Sequence, residues 1–243
     1  MLMNSDNPST TNLAGCRRCG TCCRKGGPGL HLEDRPLVDS GRIPLKHLLT
    51  LRQGEPVYDN VTGNTSPAVT DILKVKGIHA NTSVCVFYET SQKRCRIYDN
   101  RPFECEALKC WDTRQIEGIY KCRRLTRRHL LSKIKGLWGL VEDHQRHCDY
   151  GYISELVAKI RENRKVCEAT DDLLELIRYD QHLRDVTMER THLESDILTF
   201  LFGRPLSYTI KLFRIQMAKT DQGITFESTG PTDAKVCYRR NGF

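Results

Sequence analysis

The sequence has no long apolar run. Its longest, Ile197 to Phe202, is about six residues and has Thr199 inside it, far short of the roughly 20 that a membrane-crossing helix needs. No membrane span is therefore expected. The start, MLMNSDNPST, has neither the basic flank nor the apolar segment of a secretory signal, so the expected compartment is the cytoplasm. Also missing are a phosphate-binding Walker loop, a Gly-x-Gly-x-x-Gly after a strand, a His-Glu-x-x-His and a Gly-x-Ser-x-Gly. Without them no nucleotide, metalloprotease or hydrolase site can be read, and nothing identifies an organic substrate.

What the sequence does have is cysteine. There are 12 in 243 residues, in a chain long enough to bury a core without staples. That fraction lies below the range of small disulfide scaffolds, and eight of the 12 fall between Cys16 and Cys110. In reducing cytosol such grouping points to metal or redox chemistry. The densest part is Cys16-x2-Cys19-x2-Cys22-Cys23, followed by a Gly/Pro cluster through Gly29. Thiols three residues apart on a turning backbone converge on one centre. Left without a metal they would repel one another as thiolates, and a bound cation removes that repulsion.

Cys22 and Cys23 diverge by about 100° on a helix or face opposite ways on a strand, so they are not equivalent ligands of one small ion. Cys85, Cys95, Cys105 and Cys110 could complete a site begun by the first group. One tetrahedral ion needs four ligands and eight thiols are offered. Either there are two centres or some of these cysteines are structural. Zinc accepts histidine as readily as cysteine, whereas an all-thiolate set suits an iron–sulfur cluster. The expected cofactor is therefore an iron–sulfur cluster, with zinc as the alternative. The Cys16-Arg-Arg-Cys19 pair also has the spacing of an exchanging dithiol, but no strand-to-helix pattern precedes it.

Weaker candidates lie elsewhere. His144-x2-His147-Cys148 reads as surface residues near a helix end. Cys122, Cys148, Cys167 and Cys237 read as small apolar fillers. Arg101-Pro102 directs the chain into Cys105, and its arginine either supports a turn or donates to cluster sulfur.

The predicted fold class is α+β: a small irregular cysteine-rich metal-binding domain with a short β-hairpin, followed by an α-helical region. Residues 1–14 are a polar leader, 15–120 the cysteine domain, 121–217 the helical region and 218–243 a polar tail. Within the first domain a helix is expected around Leu45–Arg52 and an exposed connection over Asp59–Pro67. Short strands are expected at 72–76, 84–88 and 95–98, the last two joined by the turn 89–93. Later, Leu130, Ile134, Leu137 and Val141 predict one helix between Leu125 and Val141. Further helices are expected at 152–166, 171–186, 189–202 and 206–217.

The formal net charge is +8, and it is unevenly spread. Between Lys109 and Arg146 ten Lys or Arg stand against four acids. Such a run is either a solvated helix surface or a face for nucleic acid or an acidic protein, with Arg123, Arg124, Arg127 and Arg128 at its centre.

Cys16-x2-Cys19-Gly20-x-Cys22-Cys23, then Cys85-Val-Phe-Tyr88, then Cys95-Arg-Ile-Tyr98-x2-Arg101-Pro102-x2-Cys105 resembles the bacterial YkgJ family, the CxxCxxCC zinc- or iron-chelating domain. The likeness spans roughly residues 16 to 112. It implies that Cys16, Cys19, Cys22, Cys23, Cys85, Cys95 and Cys105 belong to the chelating set, with Cys110 as a subgroup feature. Flagellin lysine methylases carry a similar cysteine pattern. The leading functional expectation is an iron–sulfur or zinc protein in metal handling, electron transfer or protein maturation. The alternatives are a protein methylase-like enzyme that uses the cluster and a structural-metal module whose basic helix binds nucleic acid or an acidic partner.

Overall fold

The structure is a computed structural model that describes residues 16, 18–79, 82–162, 164–191, 193–220 and 223–228. The predicted leader 1–14, residues 229–243 of the predicted tail and Cys237 lie outside the described residues. The fold is α+β, with short antiparallel strand pairs followed by a helical region.

In chain order the first half holds α1 (Thr21–Lys25), α2 (Arg35–Asp39), β1 (Leu48–Leu51), β2 (Pro56–Asp59), β3 (Asn64–Pro67) and β4 (Ile72–Val75). The miniature hairpin β5 (Tyr88–Glu89) and β6 (Arg94–Cys95) follows, then α3 (Phe103–Ala107) and α4 (Arg114–Ile119). The expected helix over Leu45–Arg52 is a single helical turn, Leu45–His47, that runs into strand β1. Alternation explains the correction: Leu48 and Thr50 are buried and pair with Val75 and Leu73 of β4, a period of two that a short apolar run hides. The connection over Asp59–Pro67 is exposed as expected, but it forms the turn and second strand of the β2–β3 hairpin.

The second half holds α5 (Arg127–Leu131), α6 (Lys135–His147), α7 (Tyr150–Arg161), α8 (Val166–Thr191), α9 (Leu198–Leu201) and α10 (Leu206–Thr209), then β7 (Ile215–Thr220) and β8 (Gly223–Ser228). The single helix expected over 125–141 is two, α5 and α6. Ile134, which a continuous apolar stripe would bury, sits at the break and is 51 % exposed. The Asp149 side chain accepts from Tyr152 N at 2.9 Å and starts α7, a cap worth about 1 kcal/mol. The last expected helix ends early. A turn over Ile210–Phe213 stops at Arg214, whose φ of 56° is left-handed, and the chain turns back as the β7–β8 hairpin. That hairpin takes in residues 218–220 and 223–228 of the expected polar tail.

Two apolar cores result. Leu30, Ile43, Leu48, Leu73, Leu125, Leu131 and Val141 close the first together with Leu198 and Phe200–Phe202 of the α9 region. The second lies between α7, α8 and α10 and includes Ile153, Leu156, Leu173, Leu206 and Cys148. Backbone bonds stitch the first core, with Leu30 N donating to Leu73 O at 2.8 Å and Leu125 N to Leu30 O at 3.0 Å. Residues 29–32 thereby bridge β4 and the segment ahead of α5. This bridge positions the cysteine loop.

Candidate metal centre

The Cys-rich loop is short, polar and glycine-bearing, so it needs anchors to hold a shape. Gly20 has a φ of 73°, and a Cβ there would fall 2.0 Å from the Tyr88 hydroxyl. Only glycine permits both the left-handed turn and this close approach. Arg24 fastens the contact, donating to Tyr88 Oη at 3.1 Å and to Cys19 O at 3.3 Å. Cys85 N donates to Cys23 O at 2.8 Å, so Cys85 sits against α1. Cys95 pairs with Tyr88 across β5 and β6.

Cys105 arrives on α3, whose placement is fixed by charged groups distant in sequence. Asp34 Oδ1 accepts from Phe103 N at 2.7 Å. Glu104 accepts from Gly29 N at 2.7 Å and from Arg124 at 2.7 Å, and it meets His31 Nε2 at 3.2 Å. His31 is fully buried and its Nδ1 donates to Cys122 O at 2.7 Å. This bracket ties the Gly-rich end of the loop to the helix that carries Cys105.

All eight predicted ligands, Cys16, Cys19, Cys22, Cys23, Cys85, Cys95, Cys105 and Cys110, line one cavity of about 440 Å³. Cys22 Sγ and Cys23 Sγ are 4.0 Å apart. Cys16 Sγ accepts from Arg18 N at 3.3 Å, and the Cys19 thiol donates to Thr21 Oγ1 at 3.3 Å. Among the described residues no three of these sulfurs lie within 4.8 Å of one another.

The thiols differ in acidity because their surroundings differ. The Cys23 thiol donates to Cys22 and lowers its pKa to about 6, while that same bond and burial push Cys23 far up. Burial raises Cys85, Cys95 and Cys105, and neighbouring thiolates add to the rise. A cation entering this set therefore displaces protons and relieves repulsion together.

Positive charge stands beside the sulfurs. The Arg18 and Arg101 guanidinium carbons each lie 4.0 Å from the Tyr98 ring centroid. Both cations therefore lie against the same ring, whose π face attracts them. Arg101 Nε is buried and has no partner. An unpartnered donor on a thiol-lined cavity fits an anionic sulfur centre, because it would otherwise cost about 1–3 kcal/mol. Eight thiols, wide spacing and an orphaned cationic donor all suit a thiolate-bound metal centre.

The basic run is largely tied into the fold. Arg123 pairs with Glu33, Arg124 with Glu104 and Arg127 with Asp71. Lys121 holds Asp59, and Arg128 makes no ion pair among the described residues.

His144 and Cys148 require a correction. They are fully buried rather than on the surface, and only His147 is exposed. The His144 and Cys148 ligand atoms lie within 4.8 Å of each other and of Asp180. Asp180 is already saturated, accepting from His144 Nε2 at 2.7 Å, from Arg184 at 2.9 Å and from Leu206 N at 2.9 Å. Burial holds His144 neutral with a pKa of about 4 and pushes Cys148 up to about 12. Burial also raises Asp180, but the His144 and Arg184 bonds and the Arg184 charge outweigh it and leave the carboxyl at about 2. This is a buried polar junction with its oxygens in use. Cys122 is exposed, and Cys167, read as a filler, is disulfide-bonded.

Sequence reasoning identified the thiols and singled out Arg101. It missed His31, Asp34, Glu104 and Arg124 as supports, and Tyr98 as the ring that both Arg18 and Arg101 approach. The Arg-Pro step and the acid beside Cys105 were the only local signals.

Neither a curated protein nor a solved structure matches this chain. Residues 15–128 match the family model "CxxCxxCC: Putative zinc- or iron-chelating domain". With its thiols gathered on one cavity, this part of the chain is similar to that family of chelating domains.

Proposed function

We propose that this chain is an iron–sulfur protein whose cysteine cavity holds a polynuclear centre. One observation carries the choice over zinc. A lone tetrahedral zinc with bonds of about 2.3 Å draws its four sulfurs to about 3.8 Å from one another, whereas no three of these sulfurs lie within 4.8 Å. A cluster of iron and sulfide holds its thiolates farther apart, and the cavity of about 440 Å³ has room for it.

Such a centre supplies one-electron chemistry when bound. The protein's part is to hold it. Cysteine sulfurs ligate after losing their protons, Arg101 and Arg18 offset the negative charge, and the His31–Glu104–Arg124 bracket keeps Cys105 in place. Exposure of Cys19 and Cys110 at the cavity mouth supports a role in electron transfer or metal handling, because a partner can reach that edge.

Anaerobic purification of the full chain, with iron, sulfide and zinc analysis and a visible spectrum, tests the reading. Iron and sulfide in comparable amounts with broad visible absorption are expected. A colourless protein with stoichiometric zinc and no iron overturns it.

A further inference from the structure

Lys74 is a cation that neither the sulfurs nor the core uses. Its neighbours on β4, Leu73 and Val75, are buried in the first core, so alternation turns Lys74 to the other side of the strand, where it lines the cysteine cavity. Its backbone is held on both edges, opposite Leu49 of β1 and opposite Gly29. Among the described residues its ammonium makes no ion pair and no hydrogen bond. The charged groups that act on it are Glu104, Arg124 and Arg204. Glu104 is taken by Arg124 at 2.7 Å, and Arg204 is taken by Glu55. One positive charge is left over. Burial pulls the pKa of Lys74 below the usual lysine value, as expected of a partly desolvated ammonium without a close counter-charge.

The walls of the cavity extend beyond its cysteines. Val61 comes from the turn of the β2–β3 hairpin and Ile116 from α4, elements that carry no cysteine, and Trp111 precedes α4. Asp59 fastens this wall. It accepts from Val61 N at 2.9 Å and from the Tyr120 hydroxyl at 3.0 Å and pairs with Lys121 at 3.0 Å, which ties the hairpin turn to the end of α4. A volume of about 440 Å³ lies in the range of small-molecule sites, which are mostly apolar with a few placed polar groups.

We propose that the cavity also binds a small organic carboxylate, with its anion on the Lys74 ammonium and its apolar body against the walls that carry no cysteine. A single ammonium matches the single charge of a carboxylate. Neither Lys74 nor these walls ligate metal, so the inference goes beyond the metal-centre reading and does not depend on it.

Hexanoate and hexan-1-ol, which differ in charge, are titrated calorimetrically into the anaerobically purified full chain as wild type, Lys74→Met and Lys74→Arg, with metal content measured on each. Wild type should bind hexanoate about 10–100-fold more tightly than hexan-1-ol, Lys74→Met should lose that margin, and Lys74→Arg should keep most of it. Metal content should be the same in all three. Failure of wild type to prefer hexanoate, or hexanoate binding that Lys74→Met leaves intact, overturns the carboxylate site. So does metal lost from a folded Lys74→Met, since the ammonium would then be the counter-charge of the sulfur centre. Wild type that prefers hexanoate but holds no metal overturns the metal-centre reading and leaves this one standing. If Lys74→Met does not fold, the ranking of the two probes on wild type still decides.

Discussion

The cysteine cavity and the His144–Cys148–Asp180 junction both gather side chains that can bind metals, yet only one of them is built to do so. At the junction every oxygen of Asp180 is occupied by His144, Arg184 or Leu206 N, and Arg52 donates to Cys148 O at 2.9 Å. In the cavity the sulfurs face open space and Arg101 Nε has no partner. The identity of the ligands does not distinguish the two places. What does is that the Asp180 oxygens at the junction are already committed, whereas the cysteine sulfurs line an open cavity.

Removing a member of the junction should therefore cost folding and leave chelation alone. Asp180→Asn strands Arg184 and should lower stability by about 3–5 kcal/mol in denaturant unfolding, with unchanged metal per folded molecule. If metal falls in step with stability, the two regions are not independent. Acid should act on the same place. His144 has its pKa depressed from 6.5 to about 4 in the folded state. The unfolded chain therefore binds the extra proton, and stability drops as pH falls from 6.5 to 4, by an amount on the order of 3 kcal/mol. Asp180, depressed from 3.8 to about 2, adds a further loss below pH 3.8. Unfolding curves at pH 7 and pH 4.5 measure the first of these, and a His144→Asn chain should lack it.

In the cavity the pattern reverses. Arg101→Gln should weaken metal affinity by about 10–100-fold through loss of a support to the ligating sulfurs, read by competition with a chelator, while the unfolding midpoint barely moves. Smallest of all is Cys148→Ala, expected to cost about 1 kcal/mol and to leave metal content at the wild-type level. Loss of metal in that variant would make the junction part of the site.

How much of this was legible in the sequence depended on distance along the chain. The Cys16–Cys23 spacing is local, so convergence could be read directly, and the order of Cys85, Cys95 and Cys105 followed from a family resemblance. The hairpin carrying Cys95 was also readable from its polar turn. The Glu104 bracket was not, because His31 and Glu104 are brought together by the pairing of residues 29–32 with β4 and the chain ahead of α5. His144 looked like a surface residue because its own helix does not say which face α8 and Phe202 will cover. Within the basic run, the burial of Arg124 and Arg127 was not readable either, because the acids that pair with them, Glu104 and Asp71, lie 20 and 56 positions away in sequence.

By itself the sequence determined the donor set, the absence of any apolar run long enough to cross a membrane as a helix, and an α+β fold with its cysteines ahead of its helices. These are properties of composition and short-range spacing. Only the tertiary structure decided which thiols lie deep and which at the mouth, which histidine is sealed in, and which arginines belong to the interior. Burial and pairing are set by whatever the rest of the chain folds against a residue, and that neighbour is seldom close in sequence.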